Sequence, residues 1–341
     1  MGAKTKIEWS DATWNPIRGC SRVSPGCGGP GKAGGCYAEK IAARFSGPGM
    51  AFDGFARRVN GEARWTGKMA IVESALTLPL RWKKPRRIFV NSMSDLFHEN
   101  LPDEAIDKVF AVMALCPQHT FQVLTKRAAR MRGYFTAVDL FVRLGAAIHA
   151  VANWNDPGQK VRAFMVIESL KTGVADLWPL PNVWLGVSVE DQARADERIP
   201  LLLETPAAKR FLSCEPLLGS VWIREHLVGR EIAGLVGNAV GWIPPIDLVI
   251  IGGESGPNAR PFNVSWARSL IEQCRGSDAV PFVKQLGRRP YWDLLNGCGK
   301  WAKLTRIDLD GKQVDAITLK DKKGGDWGEW AEDLRVREMP A

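Results

Sequence analysis

Arg87-Ile-Phe-Val-Asn-Ser-Met-Ser-Asp95 is a short apolar run that stops abruptly in polar side chains. Three consecutive large apolar residues leave no polar face, so the run suits a strand covered on both sides, as in a parallel sheet. The same pattern recurs in Thr120-Phe-Gln-Val-Leu-Thr-Lys126, Val183-Trp-Leu-Gly-Val-Ser-Val-Glu190, Arg210-Phe-Leu-Ser-Cys-Glu-Pro216, Leu248-Val-Ile-Ile-Gly-Gly-Glu-Ser255 and Val280-Pro-Phe-Val-Lys-Gln285. A further short strand is expected at Ala12-Thr-Trp-Asn-Pro. Helical patterns lie between the runs, over Asp103 to Leu115, Asp191 to Leu203 and Ser265 to Cys274. The first has Ile106, Val109, Phe110 and Met113 on one face, with Pro102 and two acids at its start. Strand followed by helix, repeated, makes an α/β protein with a parallel sheet.

In such folds the ligand site forms at the carboxyl ends of the strands. That rule selects Asn91, Ser92, Asp95, Ser188, Glu215 and Glu254 as candidate cofactor-binding residues, with Thr125, Lys126 and Glu190 beside them. Two stretches interrupt the alternation. Residues 47–80 read as a loop-like insertion containing Arg57, Arg58, Arg64 and Trp65, and residues 136–181 carry mixed helical patterning. After residue 287 the chain changes character, with a hairpin expected around Asp308-Leu-Asp-Gly-Lys312.

The chain has 341 residues, 45% hydrophobic and 24% charged, enough for one large α/β domain or two ordinary ones. No apolar run approaches the roughly 18 residues of a membrane helix, and the start lacks a signal-peptide core. The expectation is a cytoplasmic protein with no membrane association. A net charge of +9 suits a polyanionic partner, such as a nucleotide or nucleic acid, and the 14 tryptophans add capacity for base stacking. Lys126, Arg127, Arg130 and Arg132 form one basic patch and Arg57, Arg58 and Arg64 another.

Seven cysteines without a secretory signal argue for reduced thiols. Cys116, Cys214, Cys274 and Cys298 sit in apolar or mixed segments and read as small buried hydrophobes. Cys20, Cys27 and Cys36 crowd instead into one glycine-rich stretch just before a helical segment. Three thiolates are one short of a closed tetrahedral zinc site or a fully ligated cubane cluster. They suit a [4Fe-4S] cluster with one iron open to the amino and carboxylate groups of S-adenosylmethionine. Asp95, Glu215 or Glu254 would receive its ammonium or ribose hydroxyls. A zinc site completed by Glu39 or His98 is the competing assignment.

The motifs Ile7-Glu-Trp-Ser-Asp-Ala-Thr-Trp-Asn-Pro16, Gly19-Cys20-x-x-Val-Ser-x-Gly-Cys27, Cys36-Tyr-Ala-Glu39, Asn91-Ser-Met-Ser-Asp-Leu-Phe97, Leu124-Thr-Lys-Arg127, Gly186-Val-Ser-Val-Glu190, Ser213-Cys-Glu-Pro216, Gly252-Gly-Glu-Ser-Gly256 and Val283-Lys-Gln-Leu-Gly287 carry a resemblance. Together they resemble a phage- and prophage-associated three-cysteine-motif family, itself similar to radical S-adenosylmethionine enzymes. The resemblance implies a partial parallel (β/α)6-type barrel over residues 1–287, with the insertions above and a C-terminal extension, 288–341, packed on it. It implies a [4Fe-4S] cluster on Cys20, Cys27 and Cys36, S-adenosylmethionine as cofactor, and an electron donor such as flavodoxin or ferredoxin. The expected activity is formation of a 5′-deoxyadenosyl radical for hydrogen abstraction from a nucleotide or nucleic acid, with an additional partner protein allowed for. The alternative is a non-catalytic, zinc- or iron-sulfur-stabilised phage protein that binds nucleic acid. The usual radical-enzyme loop is Cys-x3-Cys-x2-Cys, whereas this one is Cys-x6-Cys-x8-Cys, so Gly28 to Gly35 reads as an insertion.

Overall fold

The computed structural model describes residues 5, 7–29, 34–172, 178–233, 240–292 and 304–340. Cys298 and residues 30–33 of the expected Gly28 to Gly35 insertion lie outside the described residues. The strands used below are β1 (Ala12–Trp14), β2 (Ala56–Val59), β3 (Glu62–Trp65), β4 (Arg87–Val90), β5 (Thr120–Thr125), β6 (Val183–Ser188), β7 (Lys209–Cys214), β8 (Leu248–Gly252) and β9 (Val280–Gln285). The helices are α1 (Tyr37–Arg44), α2 (Asp103–Ala114), α3 (Ala128–Phe135), α4 (Leu140–Val151), α5 (Pro157–Thr172), α6 (Gln192–Leu203) and α7 (Val264–Arg275).

The chain forms two compact units: Met1–Arg22, Tyr37–Gly186 and Glu204–Lys209 in the first, Val23–Cys36, Val187–Leu203 and Arg210–Ala341 in the second. In the first, β1 pairs in parallel with β4, Ala12 opposite Ile88, and β4 with β5, Ile88 opposite Phe121. In the second, β8 lies parallel between β7 and β9, with Ile250 opposite Ser213 and Phe282. The strand order is β1-β4-β5-β6-β7-β8-β9, and β6 contains the point where the units divide. The seven strands of this sheet follow one another in chain order with no reversal, the intervening short strands, β2–β3 among them, belonging to separate small sheets. That is singly wound topology, as in α/β barrels, in contrast to the switch point of a doubly wound sheet.

Burial explains the strands. All six residues of β6 and all five of β8 are buried, which a strand covered on both faces requires. Helices α6 and α7 present one apolar face each, whereas α2 is buried almost all round. On α2, Ile106, Val109, Phe110 and Met113 are buried at helical spacing, and Asp103 and Glu104 in its first turn favour the positive end of the dipole. On α7 the Asn263 side chain caps the Ser265 N–H.

The 47–80 insertion is more ordered than a loop. Its β2–β3 hairpin turns at Asn60 and Gly61, with φ of 50° and 79°, the left-handed pair of a two-residue turn. The expected C-terminal hairpin forms as Leu304–Leu309 against Lys312–Ile317. The final residues run beside β9, Val283 N–H donating to the Val336 carbonyl at 2.8 Å, with Trp330 buried. Among the described residues no single helix is long and apolar enough to cross a membrane.

Candidate functional site

In the first unit, the segment Gly19–Ser21 lies against the carboxyl ends of β4 and β5. Gly19 bridges to Ser94, and Arg127 fixes the next two residues. Its guanidinium donates to the Ser21 carbonyl at 3.2 Å and hydroxyl at 2.8 Å, and lies 4.0 Å from Cys20 Sγ. Arg127 is itself buried and held by Asp95 at 3.1 Å and Glu99 at 2.9 Å. Burial alone would lower its pKa, but Asp95 and Glu99 raise it and keep the cation.

Asp95 accepts from Thr125 Oγ1 (2.7 Å) and the N–H groups of Phe97 and Lys126, as well as from Arg127. Its lone pairs are thus committed to joining the two strand ends. His98 Nδ1 accepts the Asn100 N–H, so Nε2 carries the proton donated to Ser21 Oγ at 2.9 Å. Burial, then Arg127, lowers its pKa and keeps the ring neutral. Ser92 Oγ donates to Asn15, and the Ser92 carbonyl accepts Tyr37 OH. Asn91 has φ 58°, is buried, and among the described residues its Nδ2 has no hydrogen-bond partner, so it is the candidate here with a donor to spare.

In the second unit, the rest of the cysteine loop is fastened by two buried carboxylates. Glu190, two residues beyond β6, accepts from Ser24 Oγ at 2.6 Å and from Arg198 at 2.9 Å. Arg198 also donates to the carbonyl of buried Ser188. Glu254, two residues beyond β8, accepts the Gly35 N–H at 2.9 Å, the Arg260 N–H, and the Arg260 guanidinium through both oxygens. Arg260 reaches onward to the Pro25 carbonyl at 2.7 Å. Burial would raise the Glu254 pKa, yet Arg260 and the two backbone N–H groups bring it below the ordinary glutamate value.

Glycine is required where the loop meets these acids. A Cβ on Gly26 would sit 2.2 Å from Glu190 Oε1, and one on Gly34, at φ +65°, 2.4 Å from Glu254 Oε2. The backbone also joins two of the cysteines, Cys36 N–H donating to the Cys27 carbonyl at 3.1 Å. At the end of β7, Glu215 is held by Lys284 at 2.9 Å and Gln285 at 3.1 Å. Gly252-Gly-Glu-Ser-Gly256 packs as a tight turn, for a Cβ on Gly253 would meet the Leu286 carbonyl at 2.4 Å.

The six described cysteines divide sharply. Cys116, Cys214 and Cys274 are buried, and burial pushes the first and last thiols up to about 12 and Cys214 upward as well. Those three are neutral packing groups, whereas Cys20, Cys27 and Cys36 are partly exposed. In chemistry the three loop thiols suit an iron-sulfur cluster. In arrangement, no group of three or more His, Cys, Asp or Glu side chains is set to hold a metal among the described residues. The two zinc alternatives are engaged elsewhere: Glu39 is buried and accepts from Arg22 and the Trp65 N–H, and His98 is bound to Ser21.

The residues missed from sequence are mostly cations. Arg198, Arg260 and Lys284 pair with the strand-end acids, and Ser24 docks on Glu190. An arginine six or eight residues past a strand-end glutamate is the available signal, although pairing depends on how the turn folds. In the basic patch of Lys126, Arg127, Arg130 and Arg132, the three arginines are paired, with Asp95, Asp103 and Glu204 respectively.

Residues 4–318 match the model of a family described as protein of unknown function (DUF5131), and the chain belongs to that family. Comparison with curated proteins and with solved structures gives no match.

Proposed function

We propose that this DUF5131 member is a cytoplasmic radical S-adenosylmethionine iron-sulfur enzyme of the partial (β/α)6-barrel kind, acting on a nucleotide or nucleic acid. One observation carries the reading. The three partly exposed cysteines lie on a loop that buried acid–base pairs fasten to strand carboxyl ends, while the other described cysteines are buried and neutral. Such fastening of a partly exposed glycine-rich loop is unusual for a mere connection, since connecting loops are ordinarily mobile.

Cys20, Cys27 and Cys36 would hold a [4Fe-4S] cluster, which with S-adenosylmethionine supplies one-electron cleavage of the sulfonium once an external donor of the flavodoxin or ferredoxin class has reduced it. Arg127 fixes the backbone after Cys20, and Glu190 and Glu254 fix the segment carrying Cys27 and Cys36. Asp95, Glu215 and Glu254 are engaged by cations of their own chain, so their proposed part is to organise the site. Asn91 Nδ2, at the end of β4, is the donor left for a bound cofactor, and Ser92 and Ser188 are retained as candidate contacts.

The test is anaerobic reconstitution with iron and sulfide, followed by dithionite and S-adenosylmethionine. Release of 5′-deoxyadenosine and methionine, lost in Cys27→Ala, is expected. A reconstituted protein that binds nucleic acid but leaves the cofactor intact would instead support the non-catalytic module.

A further inference from the structure

We propose that the outer face of the β2–β3 hairpin binds the phosphate backbone of duplex DNA. The inference rests on the nucleic-acid part of the functional reading above and is independent of the cluster. Cross-strand register puts Arg57 directly opposite Arg64 and Val59 opposite Glu62 on one face, with Ala56 opposite Trp65 and Arg58 opposite Ala63 on the other. The second face is the anchored one. Ala56 packs with Ala42 and Ala43 of α1 against Phe52, Ala63 and Trp65, and the Trp65 N–H donates to buried Glu39 at 2.9 Å. The first face, with Arg57 and Arg64, therefore points away from the packed side.

Two arginines directly opposite on neighbouring strands repel each other, which costs stability in the isolated protein. Glu62 pairs with Arg64 alone. Among the described residues Arg57, Arg58 and Lys68 have no acidic partner, and all three are exposed. On the other face, the Arg58 guanidinium donates to the Gly61 carbonyl, which holds a further cation at the hairpin tip. The hairpin sets the unpaired Arg57 directly beside Arg64, which Glu62 of the same face holds in place, and guanidinium matches phosphate in a bidentate fashion.

The same face distinguishes among polyanions. It carries no aromatic ring on which unpaired bases would stack, because Trp65 turns inward. It offers one exposed aliphatic residue, Val59, too little for insertion into a lipid surface. A two-stranded ribbon fits the B-form major groove, about 12 Å wide, but not the deep, narrow one of A-form RNA. Duplex DNA is the occupant these features select.

The experiment is a fluorescence-anisotropy titration of the full chain with labelled duplex DNA over a salt series. Wild type is expected to bind with steep salt dependence. The Arg57→Ala, Arg64→Ala double variant is expected to bind more weakly, its log–log salt slope shallower by about 2. Arg57→Lys with Arg64→Lys should recover most of the slope, and Arg44→Ala on α1 should match wild type. Circular dichroism melting verifies that each variant is folded. No duplex binding by wild type, an unchanged slope in the alanine variant, or tighter binding of single strands, duplex RNA or anionic vesicles than of duplex DNA would each overturn the proposal. Cys27→Ala separates the two readings: hairpin-dependent DNA binding retained there leaves this proposal standing even if reconstitution of wild type fails.

Discussion

At the scale of single residues, Glu254 shows how the site is held. Its carboxylate is buried, yet its pKa lies below the ordinary value because one guanidinium and two backbone N–H groups favour the charged form. A depressed folded-state pKa contributes stability that is present above the unfolded value and lost as pH falls through the folded one. Wild type should therefore lose stability on acidification from about pH 5 downward. Glu254→Gln should be less stable by about 2 kcal/mol near neutrality, because Arg260 loses its charged partner. Urea unfolding at a series of pH values checks this, and the two curves should converge at low pH. A constant difference at all pH values would mean that the carboxylate charge is not what holds Gly35 and Arg260. Glu254 is legible in the sequence as a strand-end acid; its partner is not, since five residues of turn separate it from Arg260.

Elements divide into those written in local pattern and those that are not. Six strands of the parallel sheet are legible as apolar runs, because a strand covered on both faces needs such a run and no helix of that length is stable alone, and β1 is legible as the short stretch Ala12-Thr-Trp ahead of the cysteine loop. The β2–β3 hairpin was not, since Arg57-Arg58-Val59 has no buried alternation and the element is anchored through Ala56 and Trp65. Asn60-Gly61 between two arginine-containing segments was the available signal. The cysteine loop was legible in composition but not in its fastening. Gly26 approaches Glu190, which is fully buried and fixed by Arg198 and Ser24, so the carboxylate has no room to retreat. Gly26→Ala should lower stability by about 1–3 kcal/mol and loosen the Pro25 to Cys27 turn. Thermal melting gives the first effect, and faster proteolysis within the loop gives the second. A variant as stable and as protease-resistant as wild type would show that the loop does not depend on this contact.

On the scale of the whole molecule, the fold and the chemistry differ in how they are encoded. Singly wound α/β topology accords with six apolar runs and one further short strand taken in order with helical patterns between, an arrangement that tolerates many polar choices at the strand ends. Function depends on those choices, and the molecule answers the resemblance unevenly. The acids proposed to touch a cofactor are engaged by Arg127, Lys284 and Arg260, while the cysteines stay accessible. Under the proposed function the acids serve as scaffold and the thiols carry the chemistry. The most direct test of that division is Mössbauer spectroscopy of anaerobically reconstituted protein labelled with iron-57, with Cys20→Ala, Cys27→Ala and Cys36→Ala beside wild type. The account predicts a [4Fe-4S] signal with one iron site that responds to S-adenosylmethionine, abolished in each cysteine variant while the fold persists. Stoichiometric zinc with no reconstitutable iron, or a full cluster signal in any one of the three variants, would contradict it.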